Sequence, residues 1–168
     1  MNHSLATELG MNSGVNLRDS QNSTVTNLAA AAASARLWPS VANDNDYFVE
    51  RDGVKFAGTH LTIDLWGATN LDRLDLIETT LETAAITAGA TILHTHLHHF
   101  QPNGGVSGVV VLAESHISIH TWPERNFAAL DVFMCGECDP MKTIPVLREA
   151  FQPAHIGLNE QKRGMTSW

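Results

Sequence analysis

The chain has 168 residues, 43% apolar and 17% charged, which is enough to bury the core of one domain and too apolar for a disordered chain. Ten Lys and Arg against eighteen Asp and Glu leave a net charge of −8, which argues against a nucleic-acid partner because phosphate binding needs a basic face. No stretch reaches the roughly 18 consecutive apolar residues of a membrane-spanning helix, and two cysteines cannot build a disulfide framework, so a reducing, cytoplasmic setting is expected.

Residues 1–50 are expected to be a flexible N-terminal extension. They are rich in Asn, Ser, Thr and Ala and carry almost no alternating apolar pattern. The run at residues 28–37, LAAAAASARL, is the helix candidate there, since Ala has the highest intrinsic propensity. The first residues lack the basic cluster and continuous apolar segment of a secretory signal.

A folded domain is expected over residues 51–168. His60 to Trp66 alternates, with Leu61, Ile63 and Leu65 on one face, and reads as a half-buried strand. Asn70 is a candidate cap for a helix in which Leu71, Leu74, Ile77, Leu81, Ala84, Ala85 and Ala88 share one stripe, with Gly89 as its stop. Residues 91–100 read as a strand, and QPNGG at 101–105 as a turn. Strands follow at residues 108–113, 116–122 and 127–135. Asp139-Pro140 then resembles a helix start, in a segment running to Phe151 that Pro145 bends or delays. The order β, α, β, β, β, β, α suggests an α+β domain, a mainly antiparallel sheet with helices on one face.

Three clusters compete to carry chemistry. In a strand, His94, His96 and His98 of the HTHLHH run ending at His99 project from one face, as a zinc site would require, although a carboxylate or other ligand must then come from elsewhere. The alternative is a polar sheet face at a cleft or subunit contact. Cys135 and Cys138 make a lone C-x-x-C: a redox pair, half of a zinc site without its other half, or one reactive thiol, for which Cys135 is better placed at its strand's end. Finally, ESHISIHTWPE at residues 114–124 holds Ser115, His116, Ser118 and His120 within six residues. A Ser and a His can make a nucleophile and its proton acceptor, but no G-x-S-x-G elbow is present, so a conventional hydrolase fits poorly. A polar strand edge is the alternative reading of this stretch.

Residues 105–124, GVSGVVVLAESHISIHTWPE, resemble the short-chain bacterial and archaeal S-adenosylmethionine decarboxylase proenzymes, which are pyruvoyl-dependent. The likeness runs from about residue 58 to 139 and takes in HLTIDLWG, AGAT, HFQPNGGVSG and DVFMCGECDP. It departs at Ala68, where a Cys often follows the Gly.

The resemblance implies a two-layer α/β sandwich and a self-processing chain. Ser115 would attack the carbonyl of Glu114 and turn that peptide bond into an ester. Loss of the Ser115 α-proton would expel the Glu114 carboxylate, and the dehydroalanine left behind would hydrolyse to a pyruvoyl group. A β chain of residues 1–114 and an α chain of residues 115–168 result. The substrate amine would form an imine with the new ketone, which accepts the electrons released with CO2, the role that pyridoxal phosphate plays elsewhere.

By position in the motif, His120 would move the proton during processing and Cys135 would protonate the carbanion in turnover, roles that suit an imidazole and a thiol at neutral pH. Ser107 would assist processing, and Glu124 would accept from the substrate ribose hydroxyls. His116 would orient groups at the cleavage site, while Trp122 and Phe100 would either shape the pocket or belong to the core. No metal is implied. The implied assembly is a homodimer with residues of both protomers at each site, acting on S-adenosylmethionine to supply the aminopropyl donor for spermidine. The rivals are a pyruvoyl-dependent arginine or ornithine decarboxylase with the same machinery, and a non-enzymatic metal-binding module built on His94, His96 and His98.

Overall fold

The computed structural model describes residues 48–113 and 115–166. The helix candidate at 28–37, most of the expected extension and Glu114 lie outside the described residues. Val49 and Glu50, assigned from composition to the extension, belong to a strand. That strand, β1 (Val49–Arg51), pairs with β2 (Val54–Phe56) through Asp52-Gly53. Both turn residues have positive φ, as a two-residue hairpin turn of matching twist requires.

The domain's main sheet has six strands: β3 (Gly58–Trp66), β4 (Ile92–His99), β5 (Val106–Leu112), β6 (Ser115–Trp122), β7 (Phe127–Cys135) and β8 (His155–Arg163). Their order is β4-β5-β6-β7-β3-β8, every neighbouring pair antiparallel. Two helices, α1 (Leu74–Thr87) and α2 (Thr143–Phe151), complete the α+β sandwich. The strands and helices expected from alternation and periodicity are all present. The hairpin β1–β2 and the edge strand β8 are additional. Strand β8 is largely exposed and carries no apolar alternation, so period-two reading passes over it.

Alternation decides which face is which. Leu61, Ile63 and Leu65 of β3, Ala128, Leu130, Val132 and Met134 of β7, and Ile117 and Ile119 of β6 form one cluster with Ile77, Leu81, Ala84 and Ala85 of α1 and Leu147 and Phe151 of α2. Each large side chain buried there contributes roughly 1.5–3 kcal/mol. Ala68 is buried in the same core. Helix α1 ends in a Schellman arrangement: Gly89 N–H donates to Ile86 O and Ala90 N–H to Ala85 O, both at 3.0 Å, with Gly89 at φ +89°.

Asn70 does not cap α1. Its backbone is left-handed, its side chain donates to Ala150 O at 2.9 Å, and the helix starts only at Leu74. Asp139 does cap: its carboxylate accepts from Met141 N–H at 3.1 Å, opening a 3-10 turn, Pro140–Lys142. Helix α2 follows directly, so Pro145 falls in its first turn, where a missing N–H costs nothing.

Among the described residues, no helix covers the opposite face of the sheet. Cross-strand register arranges it in rows. One row runs His60, Phe133, His116, Val111, His94; the next Thr62, Asp131, Ser118, Val109, His96; the next Asp64, Ala129, His120, Ser107, His98; the last Trp66, Phe127, Trp122. Almost every residue singled out for chemistry lies on this face or at its ends.

Candidate active site

Ser115 opens β6, and Cys135 closes β7. Because the two strands are antiparallel, these ends coincide, and Cys135 N–H donates to Ser115 Oγ at 3.1 Å. Ser115 lines a cavity of about 570 Å3 with His60, Val111, Leu112, His116, Phe133 and Arg163. That volume suits a small organic ligand. Cys135 lines a smaller one, about 220 Å3, with Gly89, Thr91, Ala113, Gly136, Glu137 and Cys138. Both cysteines are thiols, not a disulfide. Burial pushes the Cys138 thiol up, and the neighbouring Glu137 carboxylate adds to the rise.

A second pair stands at the far end of β6. His120 Nδ1 and Ser107 Oγ are 2.8 Å apart, in register across β5 and β6. Beside them, Trp122 stacks against Phe127 with ring centroids 5.3 Å apart, and Phe127 against Trp66 at 4.2 Å. Glu124 is exposed in the 3-10 turn, Pro123–Arg125, that follows the strand. Five positions along β6 separate Ser115 from His120, about 16 Å at about 3.3 Å per residue. Within one chain, therefore, Ser115 meets Cys135, and Ser107 meets His120, but the two pairs do not meet.

His116 follows Ser115 and points into the large cavity. Its ring lies 5.9 Å from Phe133 and 6.3 Å from His60, centroid to centroid. Burial lowers its pKa, His60 lowers it further, and Asp131 opposes both. The groups that sequence reading missed are His60, Asp131 and Arg163. Their signal was weak: His60 and Asp131 are polar side chains on the face that an alternating strand turns away from its apolar core, and Arg163 lies on a strand without that alternation.

The three histidines of β4 share the open face, as expected. The rings of His94 and His96 stack in parallel with centroids 6.5 Å apart, too far for both to reach one ion at about 2.1 Å. Among the described residues no group of three metal-capable side chains assembles, so the metal-module reading loses its support. His98 packs edge-on against Phe100, centroids 4.5 Å apart.

Residues 59–164 match the family model described as S-adenosylmethionine decarboxylase. A protein of Thermomicrobium roseum named S-adenosylmethionine decarboxylase proenzyme is 43% identical over 113 residues, covering 67% of this chain and 97% of that one. A protein of the same name from Methanococcus aeolicus is 46% identical over 114 residues, covering 66% and 97%. The crystal structure of the adenosylmethionine decarboxylase from Aquifex aeolicus VF5 superposes with a TM-score of 0.60 at 37% identity, covering 67% of this chain and 94% of that one.

Proposed function

This chain belongs to the S-adenosylmethionine decarboxylase family, and from that membership we propose that it is a proenzyme which cleaves itself before Ser115 and then decarboxylates S-adenosylmethionine for spermidine synthesis. The observation that carries the reading is the contact between Ser115 Oγ, which lines the larger cavity, and the backbone N–H of Cys135, which lines the smaller one. It brings the Cys135 backbone to the Ser115 hydroxyl, which supports reading the two residues as parts of one site.

The chain's own residues account for the processing step. Ser115 Oγ bonds to the Glu114 carbonyl carbon, and the C–N bond breaks to leave an ester. Removing the Ser115 α-proton then breaks the Cβ–O bond. The Glu114 carboxylate departs, and position 115 is left as dehydroalanine. Water converts that residue to a pyruvoyl end with release of ammonia. A ketone conjugated to an amide supplies the electron sink that no ordinary side chain has. The site fits such a group: position 115 begins a strand and meets a backbone N–H able to donate to an oxygen there.

We assign proton donation in turnover to Cys135, proton handling in processing to His120 with Ser107, and ribose binding to Glu124. The 16 Å gap between the two pairs (about five strand residues) supports a homodimer in which a second copy supplies His120, Ser107 and Glu124 to each Ser115. The sheet face that no described helix covers, with its exposed Trp66 and Trp122, offers the surface for that pairing. Among the described residues no helix is long and apolar enough to cross a membrane. A working thiol at position 135 favours a reducing, cytoplasmic setting.

Intact mass under denaturing conditions tests the reading. Two fragments are expected, of 114 and 54 residues, the shorter one reactive toward carbonyl reagents. A single uncleaved chain that also lacks carbonyl reactivity would sink it.

A further inference from the structure

Four side chains on four adjacent strands form one hydrogen-bonded chain across the open face. Arg163 Nη1 on β8 donates to His60 Nδ1 on β3 at 3.1 Å. His60 Nε2 lies 3.2 Å from Asp131 Oδ1 on β7, and Ser118 Oγ on β6 donates to Asp131 Oδ2 at 3.3 Å. His60 thus stands between the Arg163 guanidinium at Nδ1 and the Asp131 carboxylate at Nε2. Only 17% of its side chain is exposed. The flat faces and edges of His60, Phe133 and His116 then meet in one row, with centroid separations of 5.9, 5.9 and 6.3 Å, and Ser115 is the next residue of β6.

Resting on the reading of Ser115 as the self-cleaving residue, we propose that His60 is a positioning residue: locked between Arg163 and Asp131, its ring seats His116 against Phe133 and so holds the start of β6 in the geometry that cleavage needs. The electrostatics agree in direction. The titratable groups facing His60 are Asp131 from β7, His116 from β6 and Arg163 from β8. His60 lowers the pKa of His116 and Asp131 raises it, so the two partners of one hydrogen bond pull His116 in opposite directions.

Opposite pulls give a test that a merely structural role would not satisfy. His60→Gln and Asp131→Asn are compared with wild type in full-length chains. Cleavage rates are read by intact mass across pH. The titration of the His116 ring proton is read by NMR in a Ser115→Ala background, where all chains share one covalent state, and His116→Gln identifies the signal. His60→Gln should slow cleavage about 10- to 100-fold, the scale of a misplaced reacting group, and move the His116 midpoint up. Asp131→Asn should move the midpoint down.

His60→Asn keeps an acceptor near the Nδ1 position and should recover part of the rate lost in His60→Gln. It also serves as the reading if His60→Gln fails to fold. Wild-type cleavage rates in the His60 variants, or a His116 midpoint that ignores both substitutions, overturn the proposal. If wild type itself stays uncleaved, the decarboxylase reading fails instead, and the NMR arm still reports on the contact between His60 and His116.

Discussion

Cys135 N–H reaches Ser115 Oγ at 3.1 Å although twenty residues separate them in the chain. Nothing local brings them together. The strand β6 starts where β7 ends, and the turn between the two strands, around Pro123–Arg125, sits at the other end of the hairpin. This juxtaposition permits separate tests of two steps. Ser115→Ala should leave the chain at full length. Cys135→Ala should still cleave but turn over S-adenosylmethionine roughly 100-fold or more slowly, the scale of a lost general acid. Cleavage by gel and CO2 release from carboxyl-labelled substrate check the two steps. Normal turnover in Cys135→Ala removes the donor assignment.

The distance between Ser115 and His120 makes the composite site testable by complementation. Alone, Ser115→Ala should not cleave and His120→Ala should cleave slowly. Co-expressed, the two chains should form mixed dimers in which an intact Ser115 faces an intact His120 from the other copy. His120→Ala chains should then cleave faster than they do alone. No gain on co-expression would place the action of His120 within its own chain.

His116 gives stability a pH slope with a definite sign. Its folded-state pKa lies below the ordinary value of 6.5, mainly from burial and then from His60. Between those two values the unfolded chain binds more protons than the folded one, so stability rises with pH. Acidification from about pH 6.5 downward should therefore destabilise the protein, and the loss should level off below the folded pKa. Urea midpoints measured across pH 5–7 for wild type and His116→Gln, both in the Ser115→Ala background, check this, since the substitution should flatten the slope in that window.

Cys138 should be the slower thiol to alkylate than an unperturbed cysteine, because a raised pKa leaves less thiolate at neutral pH. Glu137→Gln removes the smaller of the two causes and should speed its modification by iodoacetamide. Peptide mapping at several pH values gives the rate at position 138. An unchanged rate in Glu137→Gln would leave burial as the sole cause.

Gly108 sits on β5 where a Cβ would overlap the His96 carbonyl oxygen and the Leu97 side chain. Gly108→Ala should push β4 off β5 and lower the thermal midpoint. A cost on the order of 1–3 kcal/mol is expected, the range for overpacking. Ser107 and its contact with His120 are adjacent, so the same variant should also process more slowly. A wild-type melting curve would show that the edge strand yields without cost.

Much was legible before any fold was in hand. The period-two runs marked β3 through β7, the 3.6-period stripe marked α1, and alternation assigned Leu61, Ile63 and Leu65 to the core, because each signal is written in neighbouring residues. Ser115 and Cys135 stood out through a long motif. Strand order was not legible, because it depends on which pairings of distant segments bury the most apolar surface together, a property of the whole sheet. Only that order put Arg163 beside His60, 103 residues away, and His60 beside Asp131, 71 residues away. It also set Ser115 and His120 at opposite ends of one strand, because five extended residues span about 16 Å.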